Sequence, residues 1–184
     1  NFCRHNGEAA GHPANAGEGA MKAVLTWAAF MLALYVLQSS LLPLIAFYGV
    51  SADLMLLMVV SFSFLRGYKQ GALFGFMAGL LQDLATGTFF GVNIFAKMII
   101  GCGCGYFSRR LFKEQMMLPL MAVVAATGLQ YLILLIFSWL LGYPVELLSH
   151  WRRSLAPMLV QNIVFALPVH IGVSRLSEWL KAKS

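Results

Sequence analysis

The sequence predicts an all-α integral membrane protein of about six transmembrane helices in one bundle, both termini cytoplasmic, on three observations. First, 60% of the 184 residues are hydrophobic and only 11% charged, with a mean hydropathy of +0.77. A soluble domain carries about a quarter of its residues as charge, and an aqueous fold of this length has too little interior to hide so much apolar surface. A bilayer accepts it, because roughly 30 Å of hydrocarbon takes about 20 consecutive apolar residues as a helix that satisfies its own backbone. Second, the apolar residues arrive as six segments in quick succession. Third, the basic residues are unequally divided between the two sets of segment ends.

Residues 1–20 (NFCRHNGEAAGHPANAGEGA) are polar, small and Gly/Ala-rich, and lack the basic-then-apolar order of a secretory signal. They read as a disordered extension. Met21-Lys22 runs at once into an apolar helix and reads as the natural start, so 21–184 is the expected membrane domain. The first span covers Ala23 to Leu42 and stops at Pro43; the second covers about Phe47 to Leu65, with Asp53 near its beginning. The third (Gly71 to Thr86) and fourth (Val92 to Phe107) are short and Gly-rich. The fifth, Met116 to Leu141, is long enough to cross with tilt. The sixth, Leu155 to Leu176, carries Pro157 in its first turn and Pro168 inside. Merging the third and fourth into a re-entrant hairpin leaves four full spans with the same orientation.

The net charge of +6 and pI near 9.5 raise nucleic acid as a partner, and the distribution of the 13 basic residues dismisses it. Nine fall on one set of segment ends: Lys22, Arg66, Lys69, Arg109, Arg110, Lys113, Arg175, Lys181 and Lys183. Only Arg152 and Arg153 fall on the other, with Arg4 in the tail and Lys97 inside a span. Such asymmetry marks the first set as cytoplasmic. The three cysteines, Cys3, Cys102 and Cys104, make no disulfide framework. Residues two apart on a helix point to different sides, so Cys102 and Cys104 do not jointly clamp a metal.

Gly71, Gly75 and Gly79 recur every fourth residue and give the third helix a smooth side for close backbone approach; Gly101 and Gly105 do the same for the fourth. Ala29 and Ala33 repeat the spacing more weakly in the first. Tight packing is the simplest use of such stripes. Asp83 and Lys97 stand out because a charge at bilayer depth costs about 2.5–3.5 kcal/mol. A turn near Thr86 to Gly91 would let the Lys97 stem reach Asp83, so the two are expected to compensate each other, with Asp53 and Asn93 joining a polar membrane cluster. That cluster is either a helix-pairing salt bridge or a site for a ligand, proton or partner. Gln130, Gln161, Asn162 and His170 read as interhelical hydrogen-bonding groups. No nucleophile with its base, phosphate loop or paired carboxylates can be assembled, so neither an enzyme nor a cofactor is expected.

The run from Ala52-Asp53-Leu54 to Leu65-Arg66-Gly67, followed by GALFGFMAGLLQDLATGTFFGVNIFAKMIIGCGCGYF, resembles the MreD family of rod shape-determining membrane proteins. The Asp before the second apolar run, the Arg-Gly closing it, the Gly-rich helix ending in Leu-Leu-Gln-Asp and the Gly-x-Asn before the fourth helix occur in the family's order. The resemblance covers residues 21–184 and is strongest between Asp53 and Phe107. It implies a non-catalytic subunit of the bacterial cell-elongation machinery in the inner membrane, binding MreC and helping to organise side-wall peptidoglycan synthesis. MreB, RodA and an elongation penicillin-binding protein are further implied partners, beside the lipid bilayer. It also implies a bundle similar to the substrate-binding subunits of energy-coupling-factor transporters. The alternative function follows: a small-molecule-binding subunit with Asp53, Asp83, Asn93 and Lys97 lining its pocket. For partner binding, the Gly87 to Asn93 turn and the loop Gly142 to Ser154 are the expected surfaces, the latter offering Tyr143, Trp151, Arg152 and Arg153. A membrane-interface belt is the plainer use of Trp151 and its arginines.

Overall fold

Six helices make up the regular structure of the described residues, 13–46, 51–87, 90–108, 117–142 and 145–182 of the computed structural model, with one short 3₁₀ turn, Leu42–Ile45. Helix α1 (Pro13–Ser40) begins within the segment expected to be disordered. Proline costs nothing in a first helical turn, and an established apolar helix extends at one hydrogen bond per residue. Residues 1–12 lie outside the described residues. The 3₁₀ turn is entered through Pro43 and stops α1 where the sequence stops the first span.

Helix α2 (Leu54–Arg66) runs back across the bundle and α3 (Tyr68–Thr86) returns after a single residue, Gly67. Gly67 has φ 85°, a left-handed conformation that glycine adopts without strain, and its N–H closes α2 onto the Ser63 carbonyl. Helices α4 (Val92–Ser108), α5 (Met117–Leu140) and α6 (Val145–Ala182) complete the alternation. Among the described residues, three helical stretches are long and apolar enough to cross a membrane: Met21–Leu44, Leu120–Leu140 and Leu155–Ala182. The six expected spans are therefore unequal, since α2, with 13 residues, extends only about 20 Å and α4, with 17, about 26 Å.

Helix α6 begins at Val145, well before the expected Leu155, so Trp151, Arg152 and Arg153 sit on a helix instead of in a loop. Hydropathy ends a span where charge begins, but a helix outside lipid needs no apolar residues. The side chains of residues 145–154 and all of Tyr143 lie outside the described residues.

Helix α2 is the centre of the bundle. From Met55 to Val60 every residue is 0% exposed, because α1, α3, α4, α5 and α6 all pack on it. A helix apolar all round belongs in such a position. An aromatic cluster ties α1 to this core: Phe62 and Phe74 stack at 4.0 Å, and Trp27 meets them edge-on at 4.8 and 5.8 Å.

The α3–α4 hairpin packs backbone on backbone. A Cβ at Gly71 would meet the Gly101 carbonyl, one at Gly75 the Lys97 carbonyl, and one at Gly79 the backbone of Asn93 and Ile94, all closer than real Cβ atoms come. Gly105 likewise faces Gly67 and Tyr68. Each step of four along α3 is matched by a step of four back along α4, fixing an antiparallel register that brings Lys97 to the bundle's interior.

Candidate functional site

The described polar side chains converge at the start of α2. Asp53 is its N-cap, its Oδ1 accepting from the Leu56 N–H at 2.9 Å. Its Oδ2 takes two donors, the Lys97 ammonium from α4 at 2.8 Å and the Gln130 amide from α5 at 2.8 Å. The Asp53 backbone N–H donates to Asn162 Oδ1 of α6 at 2.9 Å, and Asn162 Nδ2 donates to Thr127 Oγ1 of α5 at 3.0 Å. Gln38 of α1 accepts from the Met55 N–H at 3.2 Å. One node thus joins α1, α2, α4, α5 and α6.

The node is buried: Lys97, Asn162 and Thr127 are 0% exposed, Gln130 3% and Asp53 4%. A lone charge here would be prohibitive, and the carboxylate and ammonium make each other tolerable. Met55 and Leu56, in the first turn of α2, likewise have their N–H groups satisfied by side chains. Gln130 Oε1 stays without a partner.

The expected compensation of Lys97 by Asp83 is not what forms. Asp83 is buried near the end of α3 and accepts the backbone N–H groups of Gly91 (2.8 Å), Asn93 (3.3 Å) and Ile94 (3.2 Å) and the Asn93 side-chain amide (2.8 Å). It caps α4 from a neighbouring helix, an anion at the positive end of the dipole. Lys97 lies just over one turn further along α4, where the glycine register turns it inward toward α2. The four residues expected as one cluster therefore form two sites, Asp53–Lys97 and Asp83–Asn93.

Gln130 and Asn162, expected as separate interhelical bonds, both meet at Asp53. Gln38 and Thr127 join the node without a clear signal in the sequence. A glutamine one turn from the end of a span is a weak signal, and a threonine in an apolar helix usually bonds its own backbone, as Thr127 also does to Val123. Among the described residues no group of three metal-ligating side chains gathers.

The aspartate that opens α2, the Arg-Gly that ends it and the glycine-matched hairpin after it are the features on which the family resemblance was drawn. Residues 20–177 match the family model of rod shape-determining protein MreD. The chain belongs to the MreD family. Members of that family are membrane proteins that determine rod shape. Neither the curated proteins nor the solved structures compared with the chain include a match. For an MreD protein, the node joins five helices, and its chemistry is pairing: Gln38, Asp53, Lys97, Gln130 and Asn162 each hold a group of another helix.

Proposed function

We propose that this chain is a non-catalytic subunit of the bacterial cell-elongation machinery in the inner membrane, a rigid scaffold that holds MreC on the outer ends of α5 and α6. One observation carries the reading: the charged and amide side chains of the node are hydrogen-bonded between helices, and the exposed apolar end of α5 lies beyond them. Taking Asp53, Lys97, Gln130 and Asn162 as one level, α4 begins about 8 Å above it, α5 ends about 15 Å above it and α6 begins about 25 Å above it. The first turns of α6 therefore stand clear of the hairpin tip. At the end of α5, Trp139, Leu140 and Leu141 are 74, 72 and 56% exposed. Aromatic and basic side chains of this kind, with Trp151, Arg152 and Arg153 next on α6, suit the interface belt and a neighbouring protein alike.

The excess of basic residues on the opposite ends supports cytoplasmic termini, with MreB, RodA and an elongation penicillin-binding protein as partners reached directly or through MreC. The small-molecule-binding alternative asks for an open polar pocket with converging groups. A node whose members are buried against one another favours the scaffold. Co-purification of MreC from native membranes tests the proposal. Retention by the unaltered chain and loss on replacing Trp151, Arg152 and Arg153 together by alanine would support it. Failure of the unaltered chain to retain MreC would overturn it.

A further inference from the structure

The node contains an acceptor and a donor group that its helix pairing does not use. Gln130 is 3% exposed, and its Oε1 has no hydrogen-bond partner. Turning the amide over is no remedy, because Nε2 donates to Asp53 Oδ2 at 2.8 Å and the reverse orientation would set an oxygen against the carboxylate. Lys97 is 0% exposed, and an ammonium carries three N–H donors. Among the described residues it spends one of them, on the same Asp53 Oδ2 at 2.8 Å.

The two groups are neighbours because they share that oxygen. Lys97 Nζ and Gln130 Nε2 both lie 2.8 Å from Asp53 Oδ2, and Oε1 is the other head of the same planar amide. Oε1 and the ammonium nevertheless do not bond each other directly. A molecule that joins them has to accept a hydrogen from an ammonium and give one to an amide oxygen. A metal cation would suit Oε1 but is repelled by Lys97. A simple anion would suit Lys97 but is repelled by Asp53 and has no hydrogen for Oε1. A lipid hydroxyl brings a chain into a place where Lys97, Asn162 and Thr127 are 0% exposed. Water meets both demands and is the smallest molecule that does.

We propose that an ordered internal water bridges Lys97 and Gln130, accepting a hydrogen from Nζ and giving one to Oε1. It adds a second partner to an ammonium that Asp53 serves on one side only, and it supplies the donor that Oε1 needs. Buried waters are held in this way by otherwise unsatisfied polar groups and become part of the fold. The site is within reach of solvent during folding, since Lys97 stands five residues, about 8 Å, along α4 from its first residue, Val92. The water site is independent of MreC, and its failure would leave the reading of the outer ends untouched.

The test is a crystal structure of the full chain, grown from a lipid phase, at a resolution that shows interior water. The expected result is a water peak within about 3.2 Å of both Gln130 Oε1 and Lys97 Nζ. Gln130→Leu is expected to lose that peak while keeping the Lys97–Asp53 contact, and Gln70→Leu, at an exposed position, is expected to keep both. Gln130→Leu releases the water as it removes the oxygen, so its stability does not report the site and the map does. Should Gln130→Leu not fold, the wild-type map decides alone. Direct donation from Lys97 Nζ to Oε1, an Oε1 bonded to some other protein group, or no peak between the two would overturn the proposal. So would a peak that persists unchanged in Gln130→Leu, since Gln130 would then not be what holds the water.

Discussion

Replacing Lys97 by methionine keeps the length and apolar stem of the side chain and removes only its charge. In the bundle this strands Asp53, which is 4% exposed and keeps just the Gln130 amide and the Leu56 N–H as donors. Removing one partner of a buried pair costs about 3–5 kcal/mol, because the remaining charge has neither solvent nor counterion. For a chain of this size, where 1 kcal/mol moves Tm by about 2–4 °C, the expected fall is roughly 6–20 °C. Asp53→Asn in the same background neutralises the survivor while keeping an oxygen for the Leu56 N–H, so Asp53→Asn/Lys97→Met should be more stable than Lys97→Met alone. The assay is thermal unfolding of the purified protein in detergent, read by fluorescence of its four tryptophans. A Lys97→Met protein within about 1 kcal/mol of wild type, or a double variant carrying the full sum of both single losses, would refute the reasoning.

Other changes separate the node from its surroundings. Asn162→Leu leaves the Asp53 N–H unpaired and takes a donor from Thr127, for a loss of about 2–3 kcal/mol in the same unfolding assay. Gln130→Leu removes a donor to Asp53 together with an orphaned carbonyl oxygen, so its loss should be smaller, about 1 kcal/mol. Asp83→Ala uncaps α4 and should cost about 2 kcal/mol, with faster amide exchange at Gly91, Asn93 and Ile94 as its specific mark. Gly75→Leu drives a side chain into the Lys97 carbonyl and should destabilise the hairpin, while Gly103→Leu, at a position with open space around it, should be well tolerated.

The all-helical membrane fold is legible in the sequence because lipid and hydropathy obey the same physics, and the turns at Gly67 and Gly87 fall where glycine is needed. The relative burial of the helices is not. Helix α2 is buried while apolar Val24, Leu25, Leu32 and Val36 of α1 are exposed, so apolar composition alone does not tell a helix surrounded by protein from one with an open face. The start of α6 is missed because hydropathy reports the membrane and not the helix. Asp53 and Lys97 draw notice through the cost of charge at depth, but Lys97 is assigned to Asp83 because sequence proximity stands in for distance. The true pair spans 44 residues and depends on the glycine register of α3 and α4, which sets the direction in which Lys97 points.

The enclosure of α2 bears on how the protein is made. At 13 residues it is too short to be held across a bilayer by lipid alone, and it opens on an aspartate whose counter-charge and amide partners are synthesised later, on α4, α5 and α6. While the ribosome is still adding those helices, α2 has no stable depth of its own. The contacts of Asp53 can be complete only once α6 has been made, and a chain truncated before Asn162 is expected to leave the Asp53 N–H unpaired. The long helices can be held by lipid alone, whereas α2 depends on its neighbours, and the Asp53 contacts are where that dependence is concentrated.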